Sequence, residues 1–179
     1  MKDGVDSILE QWQRERPDVD TSPMGVIGRL ARTERRLSQS LRESFAAHGL
    51  QTHEFDILAT LRRSGAPYRL TAGQLTQAAM VTSGAITNRI DRLLDKGWVT
   101  RETDPDNRRS VRISLSKSGL AKVDSVLEQH VAREAELLAG LSEKQQSQLA
   151  KLLRTLLISL GDEPLDGTPL DGTPLDDQD

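Results

Sequence analysis

The 179-residue sequence contains no cysteine, which excludes disulfide bonds, thiol redox sensing and cysteine catalysis. Aromatic residues make up only 3% of the chain, so leucine, isoleucine, valine and alanine must build the core. The sequence has neither an 18-residue apolar run nor a basic, apolar leader, so we expect no membrane span and no secretory signal. These absences predict a soluble, cytoplasmic protein.

Motifs typical of catalysis and of metal binding are also missing. The sequence has no phosphate-binding P-loop, no Gly-x-Ser-x-Gly nucleophile and no His-Glu-x-x-His zinc motif. The three histidines, His48, His53 and His130, form no close cluster with carboxylates. We therefore expect no enzyme, no metal site and no cofactor.

The charge is unevenly distributed along the chain. The formal net charge is -3, but residues 1–20 carry six acids and three bases, and residues 161–179 carry seven acids and no base. Residues 21–160 therefore hold 14 acids and 21 bases, a balance of about +7. A basic body with acidic ends suits a polyanionic partner such as DNA, although it also suits a merely soluble protein.

The hydrophobic pattern predicts a mainly helical chain with a small β element. Ser142 and Gln145 form a capping box that starts a last helix rich in leucine. Its apolar stripe needs a partner, either within the chain or on a second copy. The predicted helices cover approximately residues 5–15, 22–48, 52–63, 71–79, 82–96, 116–138 and 142–160.

The C-terminal segment repeats a five-residue unit that contains proline and glycine. Pro164–Thr168 is followed by the same sequence at Pro169–Thr173, and a third unit begins at Pro174. Such a repeat can neither continue a helix nor bury a core, so residues 161–179 are predicted to be a disordered acidic tail.

A β-hairpin is predicted between the helices. Val111, Ile113 and Leu115 alternate with polar residues, as in a half-buried strand, and Gly97–Arg101 can supply the partner strand. The connection contains Asp-Pro and Asp-Asn, which favour tight turns. Two adjacent arginines, Arg108 and Arg109, follow the turn. Taken in isolation, a solvated surface hairpin is the simpler explanation of these arginines.

The segment before this hairpin has the pattern of a helix-turn-helix. A first helix covers Thr71–Ala79, Met80-Val81 form the turn, and a second helix runs from Thr82 or Ser83 to Lys96. At about 100° per residue, the apolar side chains of the second helix lie within one arc that packs inward. A helix followed by an arginine-bearing β ribbon predicts a winged helix-turn-helix that binds double-stranded DNA. The predicted DNA contacts are Thr82, Ser83, Thr87, Asn88 and Arg92 on the helix, and Arg108 and Arg109 on the wing.

These motifs resemble the MarR family of bacterial transcription regulators. The resemblance covers residues 22–160 and is carried by 75–76, 81–93, 96–97, 104–109 and the Leu-Ser-x-x-Gly step at 115–119. It implies a homodimer in which residues 22–48 and 116–160 form the dimer interface and residues 52–115 bind DNA. Residues 1–21 are then an N-terminal extension helix. The family's wing usually reads Asp-x-Arg-Asp-x-Arg, whereas Asp106 and Asn107 stand here in the third and fourth places, which leaves Arg108 as the nearest substitute for the usual tip arginine.

A finer resemblance, to the urate-responsive, PecS-like subgroup, concerns a sensor site. In that subgroup a tryptophan, an aspartate and two arginines line a pocket for an anionic ligand, and Trp12, Asp56, Arg89 and Arg101 match them. The resemblance implies a repressor that a small anionic metabolite, of the urate, purine or polycarboxylate type, releases from a palindromic operator.

The residues themselves leave alternatives to this sensor. Asp56 lies in a helix that is apolar on most sides, so it is expected to be partly buried and to pair with Arg89. That pair could respond to an anion, or it could be a fixed structural ion pair, and Trp12 could simply anchor its helix. A DNA-binding architectural protein without a ligand and a winged-helix module for protein partners are the rival functions.

Overall fold

The computed structural model describes residues 1–78, 83–104 and 110–163. It confirms the predicted mainly α fold with a small β element. The predicted acidic tail lies outside the described residues from 164 onward. The elements are α1 Gly4–Glu15, α2 Ser22–Ala47, α3 Thr52–Arg63, β1 Arg69–Thr71, α4 Ala72–Ala78, α5 Ser83–Asp95, β2 Val99–Thr103, β3 Val111–Leu115, α6 Lys117–Leu138 and α7 Glu143–Ser159.

The sheet has one more strand than the sequence pattern predicted. The sequence pattern starts a helix at Thr71, but Leu70 and Thr71 belong to β1, which pairs antiparallel with β3 and places Leu70 opposite Ile113. The strand order is β1-β3-β2. Thr71 still caps α4, because its Oγ1 accepts from the Gln74 backbone N–H at 3.2 Å. A three-residue strand is too short to reveal itself by alternation.

The chain divides into two compact units, residues 1–43 and 44–179. In the first unit, α1 packs closely on the N-terminal part of α2. Arg29 of α2 donates to Asp3, the N-cap of α1, at 2.8 Å and to Asp6 at 2.7 Å. Gly28 permits the close approach, since a Cβ there would stand 3.3 Å from a methyl group of the buried Val5.

The second unit has its hydrophobic core between α3, the α4–α5 pair, the inner face of the sheet and α6. Each of these elements contributes aliphatic side chains, and full burial of one such side chain is worth about 1.5–3 kcal/mol. The fully buried aliphatic residues are Ile57, Leu58, Leu61, Leu70, Leu75, Ile90, Leu93, Ile113, Val123 and Val126.

The start of α6 lies directly against the end of α5. A Cβ at Gly119 would fall 1.8 Å from the carbonyl oxygen of Trp98, so only glycine fits this contact. Ser116 caps α6, and the hydroxyls of Ser116 and Ser118 donate to the Gly97 carbonyl at 2.7 and 2.9 Å. This α5–α6 seam is the structural role of the Leu-Ser-x-x-Gly step.

Helix α7 has no buried residue in the chain. Several of its large apolar side chains are more than half exposed, among them Leu152 at 62% and Ile158 at 62%. Across the part of the chain that the structure describes, no helix is both long and apolar enough to cross a membrane. The apolar surface of α7 therefore needs another explanation.

Candidate nucleic-acid interface

Helix α5 has one buried and one exposed face. Ile86, Ile90 and Leu93 are buried in the core, whereas Thr87, Asn88 and Arg92 are exposed. Burial of the aliphatic face fixes the helix against the domain, so the polar face is presented outward in one orientation. Short polar side chains and an arginine in this arrangement suit the base edges and phosphates of a major groove.

Helix α4 packs against α5 through Leu75 and Ala78, which are both buried. The two helices lie at the positions predicted for a helix-turn-helix, although the turn itself, residues 79–82, lies outside the described residues. Of the predicted DNA contacts, Ser83 is the first residue of α5. Thr82, Arg108 and Arg109 lie outside the described residues.

The base of the predicted wing is anchored on both faces of the sheet. Arg101 of β2 pairs in register with Ile113, and its Nη2 lies 2.6 Å from Asp91 Oδ1 on α5. Beside Ile113 on β3, Arg112 Nη2 lies 2.8 Å from Asp104 Oδ1, and Asp104 is buried. Successive strand residues point to opposite faces, so these two ion pairs hold the wing base from opposite sides.

The fully buried acid of α3 is Glu54, which the sequence pattern did not single out, whereas Asp56 is only partly removed from water. Glu54 is 1% exposed, and its two carboxylate oxygens accept from Lys96 Nζ at 2.8 and 2.7 Å. Lys96 follows α5 directly and also donates to the Gly49 carbonyl at 3.0 Å. Nothing in the sequence pattern paired these residues, although Gln51 and Glu54 do have the spacing of the capping box that they form.

A cavity of about 330 Å³ lies between the N-terminal turn of α3 and the exposed face of α5. We call it the α3–α5 cavity. It combines three groups that carry or can carry positive charge with two polar side chains. Its lining residues are Gln51, His53, Asn88, Arg89 and Arg92.

Asp56 lies one turn beyond His53 on α3 and feels the charges around this cavity. Its side chain reaches the surface, yet the surrounding protein removes enough water to raise its pKa above the usual 3.8, against the lowering effects of His53 and Arg89. The pKa of His53 is lowered, mainly by burial and then by the Arg89 charge. No salt bridge joins Asp56 to Arg89 in the described part of the chain.

Three of the four predicted sensor residues, Asp56, Arg89 and Arg101, lie in the second compact unit. Asp56 and Arg89 interact electrostatically across α3 and α5. Arg101 pairs instead with Asp91. Trp12 belongs to the first compact unit, where 43% of its surface is exposed.

A larger cavity, about 480 Å³, lies along β1 and the wing base. Both of its arginines are already engaged. Arg112 pairs with Asp104, and Arg69 donates to Ser114 Oγ at 2.9 Å and lies 3.9 Å from Glu102. The α3–α5 cavity is therefore the better candidate for an anion, because the charges of Arg89 and Arg92 face it without an acidic partner on its wall.

Comparison with known proteins identifies the family. The MarR family profile matches residues 50–111. The chain is 42% identical over 149 residues to the HTH-type transcriptional regulator PecS of Dickeya dadantii, which covers 83% of this chain and 90% of PecS. The chain belongs to the MarR family. The predicted resemblance is therefore confirmed, and MarR-family membership makes this protein a DNA-binding transcription regulator and not an enzyme.

Solved structures of MarR-family regulators share the fold. A mutant of MarR from Escherichia coli, in complex with operator DNA, aligns with a TM-score of 0.65 at 24% identity, over 82% of this chain and 97% of that one. Bordetella bronchiseptica BpsR, whose DNA binding is regulated by 6-hydroxynicotinic acid, aligns with a TM-score of 0.65 at 21% identity, over 74% and 98% of the two chains. The winged helix-turn-helix assignment of α4, α5, β2 and β3 follows.

Proposed function

We propose that the protein is a repressor that reads a pseudo-palindromic operator with α5 and is released from it by a small anion. The observation that supports DNA binding is the exposed polar face of α5, which the buried Ile86, Ile90 and Leu93 hold in one orientation. Thr82, Ser83, Thr87, Asn88 and Arg92 contact the major groove, and Arg108 or Arg109 reaches the backbone or the minor groove.

The reading unit is a homodimer. Val131 on α6 and Leu152 and Leu157 on α7 are more than half exposed in the single chain. A monomer would leave this apolar surface in contact with water, whereas a dimer can bury it. Residues 22–48 and 116–160 supply the interface, and residues 1–21 and 161–179 are extensions of that domain. A dimer places two copies of α5 about 10 base pairs apart on one side of the duplex.

The α3–α5 cavity is where we place the effector. An anion there gains the charges of Arg89 and Arg92, with the His53 ring beside it, and it repels Asp56, whose pKa is already raised. Asn88 and Arg92 line the cavity and also belong to the DNA-facing side of α5. Anion and DNA therefore compete for the same helix.

The resemblance of Trp12, Asp56, Arg89 and Arg101 to the urate-responsive, PecS-like sensor points to an effector of the urate, purine or polycarboxylate type. BpsR, a regulator of the same fold, is controlled by a small organic acid, 6-hydroxynicotinic acid, which supports an anionic effector.

A DNA-binding regulator without a ligand is the second candidate. The Arg101–Asp91 pair favours it, because Arg101 is one of the two arginines of the predicted sensor, yet it is already paired and does not line the α3–α5 cavity. The direct test is to select a duplex from a randomised pool with the wild-type protein, and then to titrate the complex with urate, xanthine and citrate. Release at concentrations where potassium chloride of equal ionic strength has no effect supports the sensor.

Variants test the DNA contacts in the same assay. Asn88→Ala should relax sequence preference, because it removes a base contact. The Arg108→Ala/Arg109→Ala double variant should weaken binding to every duplex and flatten the dependence on salt. Wild-type affinity and salt slope in the double variant would show that the wing arginines do not touch DNA.

A further inference from the structure

The geometry points to Lys96 as a positioning residue for DNA reading, a role that rests on α5 being the recognition helix. Lys96 follows the last residue of α5, and its ammonium group reaches two other elements. It donates to both oxygens of Glu54 on α3 and to the carbonyl of Gly49, at the C-terminal end of α2. One side chain thus joins the end of α5 to the start of α3.

The contact is buried on the α3 side and tight. Glu54 is almost completely inaccessible, and the same carboxylate accepts the Gln51 backbone N–H at 2.8 Å to cap α3. Glu54 therefore cannot follow Lys96 if α5 moves, because it is held by its own helix. The ammonium group also stands 5.0 Å from the centre of the Trp98 ring, which limits its freedom further.

The α5–α6 seam restrains this same end of the helix from the other side. Ser116 and Ser118 bond the Gly97 carbonyl, and α6 packs against Trp98 at Gly119. Lys96 and the seam together define a fixed C-terminal end about which α5 can pivot. Asn88 lies eight residues away, a lever of about 12 Å, so a tilt of about 5° moves it by about 1 Å.

A shift of about 1 Å breaks a hydrogen bond between a side chain and a base edge. It hardly changes the electrostatic attraction between the domain and the DNA phosphates, because that attraction extends over a Debye length. Lys96 therefore controls discrimination between sequences and leaves non-specific attraction unchanged. It acts through Asn88 and Thr87 without touching DNA itself. An anion in the α3–α5 cavity would turn α5 about this same end.

The test compares three variants on two duplexes, one selected by the wild-type protein and one with the same bases scrambled. Lys96→Met removes the ammonium group and leaves Glu54 buried without its partner, which destabilises the fold. The Glu54→Gln/Lys96→Met double variant removes the unpaired charge, and the introduced amide keeps an oxygen to accept the Gln51 N–H. Lys2→Met is the control, because it removes the same charge from an exposed, ion-paired lysine outside the proposed interface and the DNA-binding region.

We expect Lys96→Met to lose affinity for the selected duplex by about tenfold, the size of one base contact. Its affinity for the scrambled duplex should change no more than that of Lys2→Met. The double variant should regain thermal stability without regaining the selected-duplex affinity, which separates positioning from folding even if Lys96→Met unfolds. Recovery of both, or no loss in either Lys96 variant, would overturn the role. A wild-type protein that fails to distinguish the two duplexes would instead overturn the proposed function, and this role with it.

Discussion

Arg101 Nη2 lies 2.6 Å from Asp91 Oδ1, so a side chain at the base of the wing is bonded to the recognition helix. The pairing register explains the contact, because Arg101 stands opposite the buried Ile113 and so points to the inner side of the sheet, toward α5. An effector that needs Arg101 must first draw it away from Asp91. Release of this bond would change the connection between wing and helix.

Two variants separate the bond from the arginine. Both Arg101→Ala and Asp91→Asn break the pair, and because it is largely exposed each should change stability by no more than about 1 kcal/mol. Arg101 does not line the α3–α5 cavity, so an effector confined to that cavity should release both variants as it releases the wild type. An effector that also draws on Arg101, as the predicted sensor does, should act about tenfold more weakly on Arg101→Ala, the only one of the two variants that removes the cation. Asp91→Asn should keep or strengthen that response, since Arg101 is then available. Equal losses in displacement titrations would assign the effect to the bond and not to an anion site.

The raised pKa of Asp56 predicts a pH-dependent stability. The folded state holds the Asp56 proton more tightly than the unfolded chain, because burial disfavours the carboxylate. Its contribution is complete below pH 3.8 and is lost as the pH rises through the raised value. Asp56→Asn should therefore raise the Tm at pH 7, although only slightly because water screens this exposed side chain, and the gain should shrink as the pH falls toward 3.8.

Thermal unfolding followed by circular dichroism checks this difference, with Glu128→Gln as the control for loss of an exposed carboxylate. A lower Tm for Asp56→Asn at pH 7 would mean that Asp56 and Arg89 form a stabilising ion pair in solution. That result would favour the fixed structural pair over the sensor.

Much of the fold follows from local pattern, and the exceptions have physical causes. The bounds of α3 and β3 agree with the predictions, since caps and alternation mark them in the sequence. Strand β1 is too short to show a period, and it exists because β3 pairs with it. The helix pattern also did not reveal which acid of α3 is buried, because Glu54 is compensated by Lys96, a residue 42 positions away. Tertiary partners of this kind leave no local signal.

Gly119 should tolerate no side chain. A Cβ there would lie 1.8 Å from the Trp98 carbonyl oxygen, so the backbone at the α5–α6 seam must move to admit it. We expect Gly119→Ala to lower the free energy of unfolding by roughly 2 kcal/mol or more, as for other overpacked sites. Gly140→Ala is the matched control, because a Cβ at Gly140 would meet no atom within 4 Å. Similar denaturant midpoints for the two variants would contradict the close contact.

The last prediction concerns assembly through α7. Leu152 and Leu157 are 62% and 51% exposed, so charged replacements are compatible with the fold of one chain but not with an apolar interface between two. Leu152→Glu/Leu157→Glu should therefore sediment as a folded monomer at micromolar concentration, whereas the wild type should sediment as a dimer. Ser147→Glu places a charge on the opposite side of α7, about 150° from the centre of the leucine stripe, and should remain dimeric. A wild-type monomer, or a dimer that survives the leucine changes, would move the interface away from α7. DNA binding by the monomeric variant should fall more steeply than its stability, because each chain then holds only one half-site.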